Sequence, residues 1–207
     1  MTLAFVNAHA MNCVAGSSQF VHALESTDWL VRDGSGMAIL LKTLKRDPGL
    51  NLNGTDLIPR IIQRFSGKKI ALLGTCEPYL AQAAEKISTE LALGSQIITM
   101  DGFRYPQEYL NFCMLQQPEL IVLGMGMPKQ EGVAAMLREQ LRTPCLIVCG
   151  GAIIDFLGGK VTRAPSWVRS LGVEWAYRLA KEPRRLFARY VLGNPIFIYR
   201  TMRFKGR

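Results

Sequence analysis

Three short apolar runs that each end in glycine constrain the fold of this 207-residue chain more than any other feature. They are Lys69–Gly74, Glu119–Gly124 and Cys145–Gly150, and a segment with helical spacing follows each of the first two. Strands that are apolar on both faces and alternate with helices are typical of a parallel sheet covered on both sides. The pattern therefore predicts an α/β, Rossmann-like fold with a mostly parallel sheet flanked by helices.

Weaker patterns predict the rest of the sheet and its helices. Further strands are predicted at residues 4–7, 29–32 and 96–100, and helices at 36–45, 55–65, 77–93, 129–141 and after Pro106. No stretch reaches the roughly 20 apolar residues that a membrane-spanning helix needs. The N-terminus lacks the basic residues of a signal peptide, so we interpret it as part of the fold.

The net charge of +9 is concentrated near the C-terminus. Residues 160–207 hold 12 of the 25 Lys and Arg residues but only 2 of the 16 Asp and Glu residues, a net charge of +10, which leaves −1 for residues 1–159. We therefore predict a catalytic core at 1–159 and a basic helical C-terminal appendage at 160–207 that contacts an anionic surface. The five cysteines form no CxxC pair and are predicted to be buried, reduced thiols of a cytosolic protein.

The glycines at the strand ends predict a binding crevice. Gly74, Gly124, Gly126 and Gly151 lie where the carboxyl ends of parallel strands receive ligands and helix N-termini accept anions. The turn with Gly126 and Lys129 could present backbone N–H groups and one cation to a diphosphate, or could be an ordinary strand-to-helix turn. Because Lys129 occupies the third glycine position of GxGxxG, a nicotinamide-dependent oxidoreductase is disfavoured.

Two polar segments allow two interpretations each. Asp33 follows a predicted strand and could act as a general base toward a substrate hydroxyl, or could cap the next helix. Asn53 and Asp56 could hold sugar hydroxyls, or either Asn53 or Thr55 could cap the helix that follows. The two histidines have no neighbouring metal-ligand cluster and no Asp-x-Asp occurs, so neither a metal nor a cofactor is predicted.

Further motifs follow the third glycine-ended strand. They are Gly150–Gly159, Arg163–Trp167, Gly172–Arg178 and Glu182–Leu186. Together with the segments around Asp33, Asn53 and Gly126–Glu131, they make the chain from about Asn7 to Arg189 resemble the WecG/TagA/CpsF family of bacterial glycosyltransferases. The resemblance implies an inverting, metal-independent enzyme that transfers a sugar from a UDP-sugar to a polyprenyl-diphosphate-linked saccharide. It also implies a cytoplasmic enzyme, peripheral on the inner face of the cytoplasmic membrane, in cell-surface or exopolysaccharide synthesis.

The resemblance also implies roles for particular residues. By its position in the motif, Asp33 resembles the proposed general base of the family. Arg178 and Arg185 are favoured as the groups that meet the departing UDP, among the candidates Arg163, Arg178, Arg184, Arg185 and Arg189. Arginine forks bind phosphate bidentately, which suits a reaction without a metal. Residues implied in binding the UDP-sugar or the acceptor are Asn7, Asn53, Asp56, Gly74, Gly124, Gly126, Lys129, Gln130, Glu131, Gly151 and Arg163.

One position departs from the family pattern. Family members often carry a threonine two residues before the N-terminal asparagine, where this chain has Phe5 before Asn7. The sugar therefore stays open among N-acetylmannosamine, its uronic acid, glucose and galactose, and self-association stays open as well.

The basic tail allows two partners. We predict an interfacial helix over residues 184–207, with Leu192, Ile196, Phe197 and Phe204 entering the acyl boundary of an anionic membrane. The alternative is a nucleic-acid-binding α/β protein, since aromatic residues also alternate with arginines in this segment. We favour the membrane and predict no nucleic-acid partner.

Overall fold

The computed structural model describes residues 1–170 and 172–204, without the side chains of Arg169 and Ser170. The chain divides into two compact units. The sheet unit comprises residues 1–5, 18–31 and 54–162, and the helical unit comprises residues 6–17, 32–53 and 163–207. The predicted division into a core at 1–159 and an appendage at 160–207 stays a prediction, and the helical unit contains two earlier segments besides the C-terminal one.

Six strands form one sheet in the described part of the chain, in the order β2-β1-β6-β5-β3-β4. They are β1 (Thr2–Val6), β2 (Trp29–Arg32), β3 (Lys69–Gly74), β4 (Gln96–Met100), β5 (Leu120–Gly124) and β6 (Leu146–Cys149). The pairs β1–β6, β6–β5, β5–β3 and β3–β4 are parallel. The predicted α/β fold with a mostly parallel sheet is confirmed, and β2, β3 and β4 have the predicted bounds.

The helices surround and connect these strands. In chain order they are α1 (Ala8–Val14), α2 (Ser18–Glu25), α3 (Ser35–Thr43), α4 (Gly54–Arg64), α5 (Tyr79–Lys86), α6 (Pro106–Gln116), α7 (Lys129–Gln140), α8 (Ile153–Leu157), α9 (Ser166–Ser170), α10 (Glu174–Lys181), α11 (Pro183–Phe187) and α12 (Gly193–Phe204). A π-helical turn at Ile87–Leu91 continues α5, and another at Ala188–Leu192 joins α11 to α12. The sequence did not predict α1, α2 or α8.

The core of the sheet unit lies on the central strands. Ile70, Leu72, Leu120 and Val122 are completely buried on β3 and β5, and burial of each such side chain contributes about 1.5–3 kcal/mol. Phe5 belongs to the same core, and its ring lies against the backbone of α4 at its first residue. The residue that replaces the family's threonine is therefore a packing residue.

The core of the helical unit joins α12 to α1 and α3. Phe197 of α12 is buried with Met37 and Leu40 of α3. At this contact α3 carries Gly36, where a Cβ atom would lie 3.4 Å from the ring and 3.1 Å from the Cβ atom of Ala8 in α1. The prediction that Phe197 enters a membrane is wrong, because its side chain is only 3% exposed and packs inside this unit.

The helical tail itself is confirmed over residues 183–204, and the last three residues of the predicted helix lie outside the described residues. Asn12 of α1 holds α12 by donating a hydrogen bond to the carbonyl of Gly193 at 2.7 Å, and it accepts one from Arg200 at 2.9 Å. Within residues 1–170 and 172–204, no helix combines the length and the apolar character that crossing a membrane requires. The five cysteines are free thiols, but only Cys113 and Cys149 are fully buried.

Candidate active site

The sheet unit has a topological switch point between β3 and β5. From β3 the chain crosses to β4 on one side, and it later returns to place β5 on the other side. In open α/β sheets, ligands bind outside the carboxyl ends of the strands at such a point. These ends are Gly74 and Gly124, which approach each other so closely that a Cβ atom on Gly74 would overlap the carbonyl of Gly124. Two of the strand-end glycines therefore lie where this topology places ligands, and the crevice itself stays a prediction.

Gly126 follows in the loop between β5 and α7. Its φ of +78° is a conformation that favours glycine, and a Cβ atom there would meet nothing within 4 Å. Space for a ligand is therefore present beside this backbone. The requirement for glycine at this position comes from the dihedral angle.

The ammonium group of Lys129 is bound within the protein. It donates hydrogen bonds to the carbonyls of Gly102 and Arg104 at 2.9 and 3.0 Å, and it lies 5.5 Å from the ring centre of Tyr109. Lys129 thus fixes the loop that follows β4. Its predicted contact with a diphosphate stays a prediction.

Gln130 and Glu131 connect the first turn of α7 to the loop after β6. Both are 1% exposed. The Gln130 amide donates to Glu131 Oε1 at 2.8 Å, while its own oxygen accepts the N–H of Gly151 at 2.9 Å. Burial raises the pKa of the Glu131 carboxyl. These predicted binding residues therefore orient one another and the backbone of Gly151.

A polar cluster at the end of β3 was not predicted from the sequence. The hydroxyl of Thr75 donates to the carboxylate of Asp155, and Lys160 Nζ lies 3.3 Å from that carboxylate and 3.3 Å from the Thr75 oxygen. Thr75 has a φ of +48°, which is unusual for a β-branched residue. The one sequence signal for the cluster is Asp155, a charge within the apolar run of α8.

In the helical unit, Asn7 and Asp33 come together because they follow neighbouring strands. Asn7 directly follows β1 and Asp33 directly follows β2, and the N–H of Asp33 donates to the carbonyl of Val6 at 2.8 Å. Asn7 caps α1 by accepting the N–H of Ala10 at 3.1 Å, and its amide donates to the Asp33 carboxylate. The cap residue of α3 is Gly34, without a side-chain cap. The interpretation of Asp33 as a helix cap is therefore wrong.

Opposing effects set the basicity of Asp33. Burial raises the pKa of its carboxyl, and the charge of Glu174 raises it further. The Asn7 hydrogen bond and the charges of Arg189 and Arg178 lower it. A carboxylate whose burial raises its pKa and which faces positive charge is suited to accept a proton near neutral pH.

The structure distinguishes among the C-terminal arginines. The positive charges of Arg178 in α10 and of Arg189 in the π-helical turn both lower the pKa of Asp33. Arg189 Nε is buried without a hydrogen-bond partner among the described residues, and burial lowers the pKa of its guanidinium. Arg185 is exposed and pairs with both carboxylate oxygens of Glu182, at 2.6 and 2.8 Å. The motif favoured Arg178 and Arg185, and no spacing singled out Arg189.

The other predicted residues divide between the units. Asn53 and Arg163 are half-buried in the helical unit, whereas Asp56 is exposed in the first turn of α4 in the sheet unit. Within the described residues, no group of three or more His, Cys, Asp or Glu side chains is close enough to hold a metal ion.

The sheet unit belongs to the class of open α/β folds that bind ligands at the switch point of the sheet. Within the helical unit, a buried carboxylate facing arginines is a feature typical of enzyme sites. The model of one family, the glycosyl transferase WecG/TagA/CpsF family, matches residues 1–207. The chain belongs to this family and is a glycosyltransferase.

Individual relatives agree with this assignment. The chain is 24% identical to the N-acetylglucosaminyldiphosphoundecaprenol N-acetyl-beta-D-mannosaminyltransferase of Staphylococcus aureus (strain MW2), over 97% of this chain and 79% of that protein. It is 26% identical to the protein of the same name from Bacillus spizizenii (strain ATCC 23059 / NRRL B-14472 / W23), over 84% of this chain and 68% of that protein. Neither match supports the alternative of a nucleic-acid-binding protein.

Proposed function

We propose that this glycosyltransferase moves a sugar, with inversion, from a UDP-sugar to a saccharide linked to polyprenyl diphosphate. The names of the relatives support an acceptor of this kind, because they specify N-acetylglucosaminyl-diphosphoundecaprenol. The same names specify transfer of N-acetyl-beta-D-mannosamine, which makes that sugar the first to test.

The environment of Asp33 carries the proposal. Its carboxylate does not cap α3, it accepts a hydrogen bond from Asn7, and burial raises its pKa. In the proposed step, Asp33 accepts the proton of the acceptor hydroxyl while the hydroxyl oxygen bonds to the anomeric carbon of the donor sugar. The bond from that carbon to the phosphate oxygen breaks, and its electron pair leaves with UDP.

Arginine charge is proposed to stabilise the departing diphosphate. Arg178 and Arg189 are partly buried, and the charges of both lower the pKa of the proposed base, Asp33. Guanidinium groups suit this role, since they present planar pairs of donors to phosphate oxygens. In the sheet unit, the loops that begin at Gly74 and Gly124 are proposed to hold the nucleotide.

The exposed face of α12 supports contact with a lipid surface. While Phe197 and Thr201 are buried, Ile196 is 45% exposed and Met202 is 69% exposed. Apolar side chains on the solvent side of a helix that also carries arginine are typical of interfacial helices. We propose that this face binds the anionic inner surface of the cytoplasmic membrane, where lipid-linked acceptors reside.

Transfer assays test the proposal directly. UDP-N-acetylmannosamine, its uronic acid, UDP-glucose and UDP-galactose are each incubated with a polyprenyl-diphosphate saccharide, with wild type and with Asp33→Asn as the matched control. We expect one donor to give a β-linked product with wild type and almost none with Asp33→Asn. Absence of transfer from every donor, with wild type that binds UDP, would contradict the proposed acceptor.

A flotation assay tests the surface. We expect binding to vesicles with anionic lipid, release at high salt because exposed charges are screened over about 10 Å at 0.1 M, and weaker binding after Met202→Glu. Binding that is indifferent to lipid charge, to salt and to this substitution would contradict the proposed contact.

A further inference from the structure

Two side chains hold both backbone polar groups of the residue that follows Asp33. Asn51 Oδ1 accepts the N–H of Gly34 at 2.8 Å, and Arg32 Nη1 donates to the carbonyl of Gly34 at 3.0 Å. We refer to Arg32 and Asn51 together as the Gly34 clamp. The clamp provides hydrogen-bond partners for the N–H and the carbonyl of Gly34, which lies outside the strands and caps α3 without a side-chain hydrogen bond.

The clamp residue Arg32 also binds the loop at residues 46–53. Arg32 Nε donates to the carbonyl of Pro48 at 2.8 Å, and Nη2 donates to that of Gly49 at 3.1 Å. Three of the five N–H donors of this guanidinium are therefore bound to backbone carbonyls. Arg32 is thus a structural fork that connects this loop to the turn at Gly34.

Gly34 needs such support because a glycine has no side chain to restrict its backbone to one conformation. Its φ is +84°, a Cβ atom there would meet nothing within 4 Å, and glycine loses more conformational freedom on folding than any other residue. On the other side of Asp33, the Asp33 N–H is already bound to the carbonyl of Val6. With the clamp, the peptide groups on both sides of the Asp33 α-carbon are fixed.

We propose that Arg32 and Asn51 are positioning residues that hold the Asp33 carboxyl in the orientation required for proton transfer. The inference rests on the proposed role of Asp33 as the general base. Neither residue acts on the substrate in this scheme; each acts through the backbone of Gly34. A misplacement of about 1 Å can cost about 100-fold in rate, so a loosened turn should be visible in turnover.

The test compares Asn51→Ala and Arg32→Gln with the conservative variants Asn51→Asp and Arg32→Lys. We expect kcat to fall about 10- to 100-fold in the first two variants, with KM for the UDP-sugar and affinity for UDP within about twofold of wild type. Asn51→Asp keeps the acceptor for the Gly34 N–H and should retain most of the turnover at high pH.

The pH dependence gives a signature that a purely structural role would not produce. Asp33 faces Asn7, Glu174 and Arg178 of α10, and Arg189 of the π-helical turn. In Asn51→Ala, a looser turn hydrates Asp33, so the acid limb of kcat should move to lower pH. In Asn51→Asp, a second carboxylate is added near Asp33, so the acid limb should move to higher pH.

The control is Asp47→Ala, which breaks a hydrogen bond inside the same loop, from the Gly49 N–H to Asp47 at 2.9 Å, without touching Gly34. It should keep wild-type turnover and an unchanged pH profile. The inference is overturned if Asn51→Ala and Arg32→Gln stay within twofold of wild-type kcat while Asp33→Asn is inactive, or if Asp47→Ala loses as much kcat as they do. Wild-type turnover by Asp33→Asn would overturn the proposed base as well, which separates the two failures.

Discussion

Substitutions at Asn7 test how the protein sets the pKa of Asp33. Its side chain caps α1 through the N–H of Ala10, and it donates a hydrogen bond to the Asp33 carboxylate. Asn7→Ala removes both interactions. Asn7→Asp keeps an acceptor for the cap but removes the donated hydrogen bond and adds a negative charge, so the pair of variants separates the two roles.

The expected sizes follow from these contacts. A hydrogen bond to a charged group contributes about 1.5–3 kcal/mol, and one pKa unit corresponds to about 1.4 kcal/mol. Because the Asn7 bond lowers the pKa of Asp33, its loss should raise that pKa. Loss of the cap should cost about 1 kcal/mol of stability in Asn7→Ala but little in Asn7→Asp.

The assay is the pH profile of kcat/KM, with thermal unfolding and UDP calorimetry on the same samples. The acid limb should move to higher pH in both variants, and further in Asn7→Asp because of its charge. At a pH below the acid limb, where Asp33 is protonated, the melting temperature should fall by about 2–4 °C only in Asn7→Ala, because only that variant loses the helix cap. An acid limb that stays in place in both variants, while Asp33→Asn is inactive, would refute the assigned origin of the basicity.

Three further variants test other parts of the structure. Asp33→Asn should reduce turnover by roughly 10²–10⁴-fold with little change in UDP binding. It should also raise the melting temperature at pH 7, because a carboxyl whose folded pKa is raised destabilises the fold once it ionises, and a lower melting temperature would contradict this. Gly126→Ala forces a side chain into a φ of +78° at a cost of roughly 1–2 kcal/mol and should weaken UDP binding in calorimetry, whereas Gly132→Ala in α7 should not. Phe197→Ala should lower the free energy of unfolding in denaturant by about 3–5 kcal/mol and Ile196→Ala by much less, since only Phe197 is buried; equal losses would contradict the packing of α12.

The central sheet could be predicted because its strands are apolar on both faces. The runs at β3 and β5 are buried by helices on either side, and such burial leaves a continuous signal in the sequence. The helices α1 and α2 gave no such signal. They have only seven and eight residues, and isolated helices of that length are unstable in water, so their stability depends on contacts that the local sequence does not show.

The site was predictable in part, for reasons that differ between residues. Asp33 was found by its place after a strand, but only the geometry shows that Gly34, rather than Asp33, caps α3. Gln130 was found by its motif, yet its hydrogen bond to Gly151 spans 21 positions of the chain. Arg189 was a candidate that the motif did not favour, and Thr75 was missed, because a buried Nε atom and a positive φ are properties of the fold.

The two faces of α12 explain why the composition of the tail predicted contact with a surface but not packing within the protein. Charge counting assigns the whole segment to an anionic surface, since residues 160–207 carry a net charge of +10. The structure instead shows one buried face, where Phe197 packs on Met37 and against Gly36 of α3, the helix that begins directly after the turn at Gly34. The other face carries the exposed apolar residues proposed to meet lipid. The helix proposed to meet the membrane, α12, therefore also packs against α3, the helix that follows Asp33. The tail is thus a structural part of the helical unit that holds the proposed base.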